Sequence, residues 1–266
     1  MIRLLLALAL ALAWLAAHAN EAQQPLPLLS PDQEAAALQS AEVMGRAVHQ
    51  HERAIAAASD AVHKIPAFRR DARVRGWITE EHDGLIAVTF VDRRPAALYR
   101  VAVSTEDDKV QELTTLDQPS PLTPFEAGAA AAREMAVGSG FQPCAEQYNT
   151  VVLPADAGEV PRRWVVYLLP VASGNNTVPL GGTYRVITEG ASVIAQRGFT
   201  RSCLTLRQDR RAAGLYVTHV LDNTPTEAHV FWSLWARQPM FVSTPDGRVW
   251  AVRKGRITLG ERRPAS

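Results

Sequence analysis

Two short stretches near the C-terminal end carry the residue types that a catalytic metal needs: Thr218-His219 and Glu227-Ala228-His229. Two imidazoles and a carboxylate can hold zinc while leaving a fourth position for water, and zinc-bound water is a nucleophile near neutral pH. On a strand, Glu227 and His229 lie two residues apart on one face, and His219 would arrive from a neighbouring strand. That arrangement describes a metal-assisted hydrolase built on His219, Glu227 and His229. The competing reading is that a histidine among Val, Phe and Trp sits in or beside a core with its ring nitrogens hydrogen-bonded.

His49-Gln50-His51-Glu52 has the composition of a metal motif but not its spacing. On a helix, positions i and i+2 diverge by about 200°, so both rings cannot face one ion. His51 falls on an apolar stripe with Met44 and Ala58 and is expected at a core edge or in a helix–sheet hydrogen bond. No G-x-S-x-G elbow, P-loop or G-x-G-x-x-G fingerprint occurs in the sequence. Ser173-Gly174-Asn175-Asn176 and Leu180-Gly181-Gly182 read as loops. No cofactor is expected.

Aromatic residues gather at Phe231, Trp232, Trp235, Phe241 and Trp250. Indoles bury much area with few rotors, so they serve recognition surfaces and β cores alike. Trp232, Trp235 and Trp250 are the candidate binding residues. On a helix, Trp232 and Trp235 are i, i+3 neighbours; on a strand they lie on opposite faces.

The elements that must position these residues can be read from caps and periodicity. Ser30-Pro31-Asp32-Gln33 is a helix start, with Ser at the N-cap, Pro at N1 and Gln at N3 completing a capping box. Ala41, Val48, Ile55 and Val62 then recur every seven residues, one stripe on a helix of about thirty residues that ends before Pro66. The stripe suits a helix lying across its own sheet. Candidate strands follow at 74–78, 85–91, 98–103 and 110–116, joined by short polar turns, which describes an antiparallel meander. Thr123-Pro124-Phe125-Glu126 repeats the helix start, Ala127 to Val137 is a shorter Ala-rich helix, and Gly138-Ser139-Gly140 stops it. Strand pattern resumes at 148–153, 164–171, 183–188 and 193–203.

The two halves resemble each other. Tyr99-Arg100-Val101 and Tyr184-Arg185-Val186 are 85 residues apart, Trp77 and Trp164 are 87 apart, and Ser30 and Thr123 are 93 apart. The expected fold class is α+β, with antiparallel sheets each packed by a helix, read as a duplicated helix-plus-meander unit. The helix-then-hairpins order, with Tyr-x-Val before a turn, resembles PepSY-type or cystatin-like modules of secreted bacterial proteins. That resemblance covers the tripeptides and the element order and carries over no residue role. The organisation expected is a signal peptide over 1–19, a flexible leader over 20–29, helix-plus-sheet units over 30–116 and 117–206, and a β-rich segment over 207–266 packed on the second unit. Within that segment Ala228 to Trp235 is read as a strand with Pro239 to Ser243 as its hairpin partner, although Thr224-Pro225-Thr226-Glu227 also reads as a helix cap.

The ends and the composition set the compartment. Arg3, the Leu/Ala run from Leu4 to Ala17, and Ala17-His18-Ala19 are the basic, apolar and small-residue parts of a cleavable secretory signal. The apolar run is shorter than the ~20 residues that span a bilayer, so the mature form is expected to carry no membrane span. The mature chain, about 247 residues from Asn20, is long enough for one large domain or two small ones. Its hydrophobic content of 47% supports a real core. A formal net charge of +1 offers no electrostatic argument for nucleic acid. Lysine is confined to Lys64, Lys109 and Lys254, and this Arg-over-Lys, Ala-rich usage matches a GC-rich bacterial genome. In an oxidising periplasm the two cysteines, Cys144 and Cys203, pair most simply as a disulfide. The functional expectation is an exported binding module (inhibitor-like, immunity-like or an envelope accessory) whose partner is another envelope or secreted protein.

Overall fold

The computed structural model describes residues 26–158, 160–209 and 211–260; the expected signal peptide and most of the leader lie outside them. Helix α1 (Pro31–Val62) begins as its cap dictates. The Ser30 N–H donates to Gln33 Oε1 at 2.9 Å, and the Gln33 N–H donates to Ser30 Oγ at 3.3 Å. The seven-residue stripe is buried at Ala41, Val48, Ile55 and Val62. It lies on the first sheet, formed by β1 (Gly76–His82), β2 (Leu85–Val91), β3 (Ala97–Ser104) and β4 (Val110–Ser120) in that order, all antiparallel. A short 3₁₀ turn, Phe68–Arg70, precedes β1, and Phe68 packs edge-on against Phe90 and Tyr99.

Helix α2 (Pro124–Val137) repeats the capping box with Thr123 and Glu126. Its buried Ala129, Ala130, Ala132 and Ala136 let it lie close on a second sheet. That sheet orders β5 (Tyr148–Pro154), β6 (Arg163–Pro170), β8 (Tyr184–Glu189) and β9 (Ser192–Gly198), again antiparallel. A two-stranded ribbon pairs β7 (Thr177–Val178) with β10 (Leu206–Arg207). Cys144 and Cys203 are bridged, with Cα atoms 5.3 Å apart. Beneath the bridge Gly182 has φ +86°, and a Cβ there would sit 2.6 Å from Cys144 Cβ, so both backbone and space demand glycine.

The third sheet departs from expectation. Residues 228–235 form no strand; they belong to helix α3 (Glu227–Ala236). Met240 to Ser243 is therefore no hairpin partner but strand β12 (Met240–Ser243), and it pairs in parallel with β11 (Leu215–Thr218), α3 being the crossover. β13 (Val249–Arg253) and β14 (Arg256–Leu259) complete the sheet by antiparallel turns. Helix α3 crosses α1 at Gly45, where an added Cβ would stand 2.5 Å from Val230 Cβ.

The first two sheets share one strand order, and Tyr99 and Tyr184 both lie on third strands. Trp77 and Trp164 do not correspond: one is on a first strand, the other on a second. The Arg of each Tyr-Arg-Val tripeptide has a shared task. Arg100 holds Glu126 in the first turn of α2, and Arg185 holds Glu227 in the first turn of α3. Arg248 closes the circle by binding Glu34 near the start of α1 through two bonds of 2.9 and 2.5 Å. A carboxylate near a helix N-terminus is favoured by the exposed N–H groups there; those of α2 and α3 are fixed by an arginine from the preceding sheet, and that of α1 by Arg248 from the turn before β13. One large core joins α1, α3 and all three main sheets; a smaller one lies under α2.

Candidate functional site

The structure sets Glu227 apart from the two histidines that would have held a metal with it. With residues 227–236 helical, Glu227 is N1 and His229 is N3, so they project about 200° apart. The Glu227 Oε1 accepts from Arg185 at 2.5 Å and from the Tyr167 hydroxyl at 3.3 Å. The Nδ1 of His229 accepts from the Thr226 backbone N–H at 3.0 Å, taking the place Gln33 and Glu126 fill at the other two helix starts. The Nε2 of His219 meets Asp222 at 2.8 Å, and Asp222 also accepts from Arg197 at 2.6 Å. Among the described residues no group of three or more His, Cys, Asp or Glu has the arrangement to hold a metal ion.

The two histidines do meet each other, edge to face, with ring centroids 4.6 Å apart. Burial pushes the His229 imidazole well below its ordinary range. The Nε2 of His229 has no hydrogen-bond partner among the described residues. Burial raises Asp222, but hydrogen bonds from His219 and Arg197 outweigh it, and the carboxyl lies well below the usual range. This is an Arg–Asp–His chain without a nucleophile: no described hydroxyl or thiol hydrogen-bonds to His219. His51 behaves as a helix–sheet tie. It is buried, and its Nδ1 lies 2.8 Å from Thr79 Oγ1.

The candidate tryptophans divide. Trp232 is buried and donates to Thr183 Oγ1 at 2.8 Å; Trp250 is buried and donates to Thr244 Oγ1 at 3.1 Å. Both are core, which corrects their assignment to a binding surface. Trp235 is half-buried and lines a cleft of about 1040 Å³.

Four segments make that cleft. From α1 come His49, Glu52, Arg53, Ala56, Ala57 and Asp60, which follow i, i+3, i+4, i+7, i+8 and i+11 and so form one helix face. The end of α3 supplies Leu234, Trp235 and Arg237, followed by Gln238 and Pro239. The β13–β14 turn adds Arg253 and Lys254, and the β3–β4 turn adds Asp108, which is ion-paired with Arg53. Burial, helped by the charge of Arg53, pushes His49 down to about 4. Burial raises Glu52. Sequence reasoning missed this face, whose mixed charged and alanine residues lack the apolar signature of the buried stripe, although the stripe starting at His49 has the same spacing.

No family model matches the chain, and no curated protein does. Among solved structures, the C-terminal domain of Bacillus megaterium YpeB is similar at 16% identity over 53% of this chain. The chain spans 64% of that domain, and the TM-score of 0.18 is too low for the likeness to define a shared fold.

Proposed function

We propose that this chain is an exported bacterial interaction module, working in the periplasm or outside the cell, that docks a protein partner of the envelope or the secreted set in the cleft beside Trp235. The observation that carries the reading is Trp235 itself. An indole is held edge-on by Trp232 at 5.2 Å, yet half-exposed in a cleft floored by Ala56, Ala57 and Pro239. A rigid aromatic surrounded by polar rim residues is the arrangement in which a few side chains supply most of a binding energy. The chemistry-bearing side chains elsewhere are committed to structure: Glu227 to Arg185, His219 to Asp222, His51 to Thr79. The hydrolase built on His219, Glu227 and His229 finds no support in that geometry. No described helix is long and apolar enough to cross a membrane.

The test is affinity capture from envelope and culture-supernatant fractions with wild-type chain and with Trp235→Ala as parallel baits. A partner retained by the wild type and lost, at matched folding, by Trp235→Ala is the expected outcome. Equal retention by both baits places the docking surface elsewhere, and a turnover assay that loses activity on Glu227→Gln would restore the hydrolase.

A further inference from the structure

We infer that the occupant of the Trp235 cleft is an acidic protein segment, an apolar anchor flanked by carboxylates, and this rests on the reading of that cleft as a docking site. Three cations line it without an anionic partner. Arg237, Arg253 and Lys254 are all exposed, and none forms an ion pair among the described residues. Elsewhere several arginines are bound to carboxylates, Arg73 to Asp71, Arg100 to Glu126, Arg185 to Glu227 and Arg248 to Glu34, whereas Arg69, Arg70, Arg93 and Arg94 form no ion pair among the described residues, like the cleft cations. What sets the three apart is that they converge on one cleft beside an indole. The cleft's own acids do not pair with these three: Asp108 is taken by Arg53, Glu52 is only partly exposed, and Asp60 is exposed at the far end of the α1 wall and forms no ion pair with them.

The backbone adds a second observation. Arg237 caps α3 in the left-handed region at φ +52°, and Lys254 stands at φ +49° in the β13–β14 turn. Both positions favour glycine or asparagine, which carry no cation. Asp83, Asp108 and Asn176 adopt the same backbone at other turns; among the described non-glycine residues with positive φ, Arg237 and Lys254 are the two cations, and both line this cleft. The third cation, Arg253, stacks its guanidinium 5.4 Å from the Phe241 ring centroid, which leaves its edge free to bind a planar carboxylate.

The length of the cleft suits an extended protein segment. The α1 wall from His49 to Asp60 runs about 16 Å at 1.5 Å per residue. That length matches about five residues of extended chain. A partner's apolar side chain would sit on the Trp235 indole between Leu234 and Pro239, and its carboxylates would meet Arg253, Lys254 and Arg237.

The probe is an array of fluorescein-labelled hexapeptides with Leu, Phe or Trp at the centre and Glu, Gln or Lys on either side. Binding to the exported full chain is read by anisotropy. Glu-flanked peptides should bind at least tenfold tighter than Lys-flanked ones, and added salt should erode the difference. The double variant Arg253→Glu, Lys254→Glu alters exposed side chains and gives up the Arg253–Phe241 stacking, so its melting temperature should fall by at most about 4 °C while its preference reverses toward Lys-flanked peptides. No binding by any peptide, equal binding of Glu and Lys series, or a preference unmoved by the double variant each overturns the inference. The two readings fail separately. A captured partner whose docked segment proves neutral or basic sinks the acidic assignment and leaves the docking site standing; capture insensitive to Trp235→Ala sinks the docking site itself.

Discussion

Trp232 and Trp235 lie three residues apart on one short helix, and truncating them should have opposite consequences. Trp232 is 2% exposed, touches Phe231 and Trp235 edge-on, and donates its N–H to a buried Thr183. Trp232→Ala opens a large cavity in the main core, a change that costs about 3–5 kcal/mol. Orphaning the Thr183 hydroxyl adds about 1 kcal/mol. At about 2–4 °C per kcal/mol for a chain of this length, the melting temperature should fall by more than about 8 °C. Trp235 is half-buried and its exposed face lines the cleft, so Trp235→Ala forfeits a fraction of that burial, about 1–2 kcal/mol. Denaturant titration gives both values, and partner capture gives the second axis. Trp235→Ala should lose capture with a small loss of stability, and Trp232→Ala should lose stability first. Equal losses of stability in the two variants would refute the division of the pair into core and surface.

Three further outcomes follow from the described contacts. Arg185→Met leaves the Glu227 carboxylate buried with only the Tyr167 hydroxyl, so urea unfolding should show a loss of about 3 kcal/mol, and the added change Glu227→Leu should recover part of it. Stability should fall in acid. Burial holds the His51 imidazole at about 4, below its ordinary 6.5, and the Glu81 carboxylate 3.6 Å away is too exposed to keep it charged. The unfolded chain then takes up the proton first. The His51 share of stability is complete above pH 6.5 and falls by about 3 kcal/mol as pH drops toward 4; His49 and His229, also depressed by burial, add losses of the same sign, so His51→Gln should reduce the slope between pH 6.5 and 5 without abolishing it. Asp222, depressed, adds a loss of the same sign below the ordinary carboxylate range. Denatured but unreduced protein should show no free thiol, and replacing Cys144 and Cys203 by Ser should cost up to about 4 kcal/mol for a bridge spanning 59 residues.

Helix starts and meanders were legible because their signals are local. Ser30-Pro31 and Thr123-Pro124 cap helices where the capping boxes stand, and the stripe from Ala41 to Val62 is the face α1 buries. Helix α3 was not legible because it is surrounded. Ala228, His229, Val230, Phe231, Trp232 and Ser233 are buried in succession, so no polar face marks a 3.6-residue period. Such a run is ambiguous between a buried helix and a strand, and the strand reading created the metal trio. Once the segment is helical, Glu227 turns to Arg185 and the trio dissolves. The repeated Tyr-Arg-Val was visible, but its meaning was not. The carboxylates that Arg100 and Arg185 bind lie 26 and 42 residues further on, at the start of the next helix. The cleft needed four separate segments brought together, and only its α1 wall has a period that a sequence displays.

The claim that this chain works by docking a protein beside Trp235 is tested most directly by site-specific photocrosslinking in the exporting bacterium. A benzophenone side chain is placed in turn at Ala56 and Ala57 in the cleft, and at Val193 and Ile194 on the exposed β9 edge. The account predicts a discrete protein adduct from the two cleft positions, abolished by Trp235→Ala, and none from β9. Adducts from β9 alone, or cleft adducts indifferent to Trp235, would contradict it.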